Sequence, residues 1–481
     1  MTDSSNTSSS EHHLQDDLIE IQEDLMEIED ELVEPEFLEH AVPPEARVGR
    51  AALALAVTSI TSGFFWLFYG ALAATLVGTR QAIIGLVAAT VPFILLSWPY
   101  ATWGVRHGLD AALLGRRVFG GTGTVLISVL LAASLTYYAV FESSVIARAL
   151  ETYFGGLDIK WWYLIVVLAM LPLMRGSVHT WMGRLNGILL QLFLAGLVAT
   201  VVTIGVRTGW SSAWLDHQGV IPSEALGVPG WFFVAVLYMG AWIQMPMMLE
   251  FARLGRVKDL AFHRLVTFGP LFTGFTYFVN GVAGIYMVHA SGLSVAGGEA
   301  GVVNATLAAL GFWGLVFVIA TQLKINSLNY YVSSANWQQL AASYLGLKLS
   351  RVTWVVITSI AVFVLMLTDV FTYLQRAVTW QGAFLVGWVG IMTTHFALSR
   401  SDRESGPETR LERLPRVTAA LLVWVVASLL GIYFAENKAL FPVASGLAPL
   451  ITFGTSIVLY LLVRPMISRV TPRAERELKT N

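Results

Sequence analysis

The chain has 481 residues, of which 56% are hydrophobic and only 13% charged, about half the charged fraction of an ordinary soluble domain. Charge this sparse cannot cover a soluble surface, and the absence of cysteine rules out disulfides and thiolate metal sites. The net charge of −2 conceals a segregation, with acidic residues gathered at the start and basic ones in the loops.

Residues 1–45 are polar and acidic, including Asp16, Asp17, Glu20, Glu23, Asp24, Glu27, Glu29, Asp30, Glu31 and Glu34. No basic start precedes an apolar run, so this is not a signal peptide. Leu14, Leu18, Ile21, Leu25, Ile28 and Leu32 follow the alternating three-and-four spacing of a short coiled coil. The flanking acids would repel in a homomeric coil, so pairing needs a basic partner or low pH. The expected segment is a cytoplasmic, partly disordered tail with room for one short amphipathic helix.

From Ala51 onward, apolar runs long enough to cross a bilayer recur at 51–73, 82–104, 122–146, 161–174, 186–206, 229–250, 266–289, 303–325, 353–369, 381–398, 417–435 and 446–463. Twelve spans make an all-α integral membrane domain over 46–465, followed by a second cytoplasmic tail at 466–481. One set of alternate loops holds 23 Lys and Arg residues, among them Arg47, Arg116, Arg253 and Arg464. The other set holds only Arg80, Arg148, Lys160, Arg207, Arg376 and Lys438. Short basic loops stay cytoplasmic, so both termini are expected on the cytoplasmic side of the cell membrane. The remaining basic residue, Lys324, falls within the eighth run, near its cytoplasmic end. An ammonium in a span costs about 2.5–3.5 kcal/mol on insertion scales, so it faces a polar cavity or carboxylate, or else snorkels to the interface.

Two runs contain the makings of a broken helix. The first reads Thr58, Ser59, Ile60, Thr61, Ser62, Gly63, and the sixth Tyr238, Met239, Gly240, Ala241, Trp242, Ile243, Gln244, Met245, Pro246. Interrupted helices in corresponding places mark transporter sites, because freed carbonyls bind cations and freed amides meet polar groups; close packing and a kink are the structural alternative. In the third run Glu142 stands one turn from Tyr138, on one helical face with it. An aromatic face beside an acid suits a flat polar ring, unless Glu142 lies at the outer end and is simply hydrated. The stretch from Thr321 through Ser334 carries more amides and hydroxyls than lipid can satisfy. Asp369, Glu250, His289, His395 and Glu436 fall at span ends, where hydration explains them. No phosphate-binding loop, zinc-protease motif or nucleophile elbow occurs, so an enzyme or an ATP-driven pump is not expected, and nothing points to nucleic acid.

Three stretches together resemble a known family. Arg116-Arg117-Val118-Phe119-Gly120-Gly121-Thr122-Gly123 leads into span three, Glu250-Phe251-Ala252-Arg253-Leu254 follows span six, and Asn326 to Tyr331 lies in span eight. In order and spacing these are similar to motifs of the nucleobase cation symporters, the purine/cytosine permease group, over roughly residues 40 to 465. The resemblance implies a leucine-transporter-type fold of two inverted five-span repeats plus two extra helices. It also implies a permease that imports a nucleobase or related nitrogen heterocycle by alternating access. Tyr138 falls where the family has a ring-stacking Trp, Glu142 where it has a polar ring-binding residue, and Trp242 near the second stacking aromatic. Asn326 and Asn329 bracket the substrate-binding amide. With Gly63 and Gln244 at the breaks, these residues form the expected substrate site. Lys324 and Ile325 replace the hydroxyl pair that helps hold sodium between spans one and eight, so Ser62 and Lys324 would form the coupling-ion site or its substitute. Proton coupling or uniport is therefore expected rather than sodium symport, with Lys324 or Glu142 brought near the working range by burial. Other readings are a carrier of small organic cations on the same fold, and a substrate-sensing receptor.

Overall fold

A computed structural model describes Ile21, residues 40–174, 176–295, 300–368, 370–407, 409, 410 and 414–478. The remainder of the Leu14–Leu32 repeat, Asp369 and the last three residues lie outside the described residues.

Helices account for every pass, and their ends follow the local chemistry. The first pass is a bent pair, α1 (Arg50–Ile60) and α2 (Phe64–Val77), at 54° to each other across Thr61, Ser62 and Gly63. It is followed by α3 (Thr79–His107), α4 (Ala111–Phe154), α5 (Ile159–Leu173) and α6 (Gly176–Arg207). Asp110 starts α4 by accepting from the Leu113 amide at 2.7 Å, an N-cap that supplies one of the helix's orphan donors with an acceptor. The sixth pass is a second bent pair, α7 (Gly230–Met239) and α8 (Gln244–Ala252), at 50°. Then come α9 (His263–Val279, wound as a π-helix around Pro270), continued by α10 (Asn280–Ala290), and the short α11 (Ala300–Leu310). The remaining passes are α12 (Phe312–Leu345), α13 (Arg351–Met366), α14 (Val370–Leu398), α15 (Ala419–Glu436) and α16 (Ala448–Leu478).

This gives twelve passes among the described residues. Six helices are each long and apolar enough to cross a bilayer, and each bent pair is so when taken together. The apolar α5 and α13, at 15 and 16 residues, are short for a core of about 30 Å. Side chains of the basic loops meet at one end of the bundle, where Arg256 Nε donates to Arg47 O at 2.8 Å and Arg117 pairs with Asp402 at 3.0 Å. The sparse set lies elsewhere, with Arg80 on Asp216 and Arg376 on Glu436. The chain is a multi-pass membrane protein.

Two boundaries differ from the hydropathy reading. The apolar run at 303–325 is split by Gly311, whose φ of +56° turns α11 sharply into α12, a left-handed corner that favours glycine. Lys324 therefore sits well inside α12 and not near a span end, which removes the snorkelling explanation. Likewise α4 runs well past 146, so Glu142 is interior and 1% exposed, not hydrated at an outer end. Hydropathy missed both because a polar stretch that faces protein looks the same in a window average as a loop.

Close helix contacts position the first break. A Cβ on Gly70 would lie 2.3 Å from Gly281 O, and one on Gly284 1.9 Å from Leu67 O, so α2 and α10 meet backbone to backbone. Elsewhere α14, α15 and α16 pack together, held by Trp424 Nε1 donating to Phe384 O at 2.6 Å and by His395 between Tyr460 and Asp402 at 2.7 and 2.8 Å.

Candidate functional site

The break between α1 and α2 leaves a helix C-terminus facing a helix N-terminus, with partial negative charge at one and partial positive at the other. The hydroxyls of the break are turned inward on their own helix: Thr58 donates to Ala54 O, and Ser62 Oγ to Thr58 O at 2.8 Å. Asn280 of α10 donates to Thr61 O at 3.1 Å. The exposed ends of the two helices are met by α4 and α12.

Residues two apart on a helix point in nearly opposite directions, whereas residues four apart share a face. On one face of α12, Lys324 Nζ donates to Ser59 O at 3.3 Å, placing an ammonium against the carbonyl end of α1. On the other, Gln322 accepts from the Phe64 amide at 3.3 Å, the first residue of α2, and its Nε2 donates to Glu142. Asn326, four residues on, donates to Ser143 at 2.8 Å, and Ser143 lies 3.3 Å from the Tyr330 hydroxyl. A cation thus faces the negative end of one half-helix, and a carboxylate, through one amide, the positive end of the other. Gly63 makes room for this, since a Cβ there would lie 3.2 Å from Glu142 Oε1 and 2.9 Å from Ile325 Cδ1.

Beside the carboxylate stands an aromatic wall. Phe65 meets Tyr138 edge-on at 5.2 Å and stacks on Tyr69 at 5.4 Å; Tyr69 continues to Tyr238 at 4.9 Å, and Tyr238 to Tyr277 at 5.0 Å. Trp242 contacts Phe93 and Phe453 at 5.9 and 5.4 Å. Gln244, at the start of α8, is 2% exposed with no partner at Oε1, and Asn329 is 4% exposed. The structure therefore brings together Gly63, Tyr138, Glu142, Lys324 and, across Ser143, Asn326. Gln244 and Trp242 belong to the second break.

Two residues of this region went unrecognised in the sequence reading. Gln322 falls in the polar stretch of span eight, and its spacing of four from Asn326 was the available signal. Gln381 of α14 lies in an otherwise apolar run and gave no sign. The described span-end residues are not simply hydrated: Glu250 lies 3.5 Å from Arg253, Glu436 accepts from Trp380 Nε1 at 2.8 Å, His289 stacks on His217 at 4.0 Å, and His395 is held as described above. Below the first break a cavity of about 340 Å³ runs from Ile60, past Leu328 and Asn336, to Asp110, Arg116 and Glu250 at the basic end.

No protein-family model matches the chain, and no curated protein is similar to it in sequence. Solved structures are similar. Mhp1, a nucleobase-cation-symport-1 family transporter, superposes in its inward-facing conformation with a TM-score of 0.69 at 16% identity, covering 92% of this chain and 97% of that one. Its closed form with bromovinylhydantoin bound gives 0.64 over the same shares. MhsT in complex with L-phenylalanine gives 0.56 at 15% identity, covering 85% of this chain and 98% of that one. The chain has the leucine-transporter-type fold. Spans one to five and six to ten are its two five-helix repeats, each opened by a bent pair, and α15 and α16 are the extra helices. A Na+-coupled sialic acid symporter in a substrate-bound outward-open state is similar to the same degree, with a TM-score of 0.56 at 15% identity over 93% of this chain and 97% of that one. Among these structures Mhp1 gives the higher TM-scores, over 92% of this chain.

Proposed function

We propose that the protein is a secondary transporter that moves a small nitrogen heterocycle, of nucleobase size, across the cytoplasmic membrane by alternating access. The observation that carries this reading is the Glu142–Gln322–Phe64 bridge at the first helix break, set beside the aromatic wall of Phe65 and Tyr138. A carboxylate accepts ring or exocyclic N–H groups, and an aromatic face stacks on the ring plane. The cavity below Ile60 supplies a path toward the basic end, as alternating access requires.

Lys324 replaces a coupling cation in this account. Its ammonium occupies the carbonyl end of α1, where a metal ion would otherwise complete the charge, so transport is driven by protons or runs as uniport. A second reading has its own support. Among the described residues Glu142 has an amide partner and no cationic side chain, and an unpaired buried carboxylate favours a cationic ligand; the same site would then carry small organic cations.

Uptake of radiolabelled cytosine, uracil, adenine and guanidinium into proteoliposomes tests the proposal. Accumulation of a ring compound supports it. Uptake of guanidinium alone favours the cation reading, and binding without accumulation would make the protein a receptor.

A further inference from the structure

The bridge at the first break leaves one side of the aromatic wall unaccounted for. The Tyr138 hydroxyl faces the side chain of Gln381 on α14. Both groups are more than nine-tenths buried and lie within interacting reach of each other, yet neither Tyr138 Oη nor Gln381 Nε2 makes a hydrogen bond of full geometry. A buried polar atom without a well-made hydrogen bond is a cost to the fold, and here two such groups stand side by side with hydrogens still to donate.

Backbone packing fixes where Gln381 can be. Its neighbour Gly382 lies so close to the second helix break that a Cβ would come 2.7 Å from Gly240 Cα. Gln381 is thereby held beside α7, across the aromatic wall from Gln322 and the first break. Glu142, one turn from Tyr138 on α4, when ionised offers acceptors and no donor. Gln381 Nε2 and the Tyr138 hydroxyl both offer hydrogens. The two sides of the wall therefore ask for different edges of one ligand.

We propose that Gln381 is a specificity-determining residue that, with Tyr138, donates to a ring carbonyl oxygen of the substrate while Glu142 accepts from an N–H on the opposite edge. One carbonyl oxygen has two lone pairs and takes both donors. The ligand class this selects is an oxo-substituted nitrogen ring, a cyclic amide or urea, rather than an amino-substituted ring without a carbonyl. The inference rests on the transport reading given above and deepens it by naming the substrate's functional groups.

Ligand pairs that differ at the ring carbonyl and keep every N–H test it: cytosine against 2-thiocytosine, and hypoxanthine against 6-thiohypoxanthine, in which sulfur, a poor acceptor, replaces the oxygen. Equilibrium binding to the full-length purified protein is compared for wild type, Gln381→Leu and Tyr138→Phe, with a thermal melt of each unliganded protein. Wild type is expected to prefer the carbonyl member of a pair by about tenfold, as two hydrogen bonds allow. Gln381→Leu is expected to erase that preference by weakening the carbonyl member alone, with an unliganded melting temperature equal to or above wild type. Tyr138→Phe keeps the ring and removes the second donor, and should lose part of the same preference if Gln381→Leu fails to fold. Equal weakening of both members, a preference that survives both substitutions, or no preference in wild type overturns the role of Gln381 and leaves the transport reading standing. Failure of wild type to bind any of the four rings overturns the transport reading, and the inference with it.

Discussion

At the break between α1 and α2, an ammonium, a carboxylate and an amide reach in from α4 and α12; at the break between α7 and α8, the neighbours are tyrosines and a glycine. There Tyr69 donates to Leu237 O at 2.9 Å and Tyr277 to Ala241 O at 3.3 Å, while Gly382 of α14 abuts Gly240. Both breaks have freed backbone groups to satisfy, and they use different means. At the second, neutral tyrosine hydroxyls take up the freed carbonyls. Charges at the first are matched to the dipoles of two half-helices, and a proton or a charged ligand would change that match. On the transport reading proposed above, the charge-dependent step belongs to the first break, and the second contributes the packing around it.

The largest effect expected from breaking this contrast is at Glu142. Glu142→Gln keeps the side-chain volume and removes the charge, and should lower transport rate by about 100-fold in proteoliposome uptake, with the melting temperature retained. Gln322→Ala leaves Glu142 and the Phe64 amide without their common partner, and should weaken substrate binding by about tenfold. At the second break the damage should fall on the fold instead. Gly382→Ala forces α14 away from Gly240 and should cost about 1–3 kcal/mol of stability, read as a lowered melting temperature.

Charges outside the spans give the smaller effects. Asp402 is buried, which by itself would raise its carboxyl; the His395 hydrogen bond and the Arg117 ion pair outweigh this and hold the group below its ordinary value. A carboxyl depressed in the folded state contributes stability that is complete above its unfolded value, near pH 4, and that disappears as pH falls through the folded one. Asp402→Asn should lower stability by about 1–2 kcal/mol at neutral pH and flatten the loss below pH 4 in a melting series. Arg80→Ala, which removes an ion pair exposed on both sides, should leave the melting temperature unchanged.

Much of the fold was legible in the sequence because its signals are physical and local. Apolar runs gave the passes, the loop charges gave their alternation, and Gly with hydroxyls or Pro marked both bends. Lys324 and Glu142 stood out because charge in a span is costly. What was not legible depends on which face of a helix meets which neighbour. Gln322 and Lys324 are two residues apart and serve opposite halves of one break, an arrangement that a linear reading of the Thr321–Ser334 stretch does not separate. Gln381 is visible only once α14 is laid against α7. The short α11 was merged with α12 because a single Gly311 separates two apolar segments.

The central claim is that Lys324 occupies the place of a coupling cation, and uptake into proteoliposomes under imposed sodium or proton gradients, for wild type and Lys324→Ala, tests it most directly. The account predicts wild-type uptake that ignores the sodium gradient and a pH dependence that changes in Lys324→Ala. Sodium-stimulated uptake by the wild-type protein would contradict it.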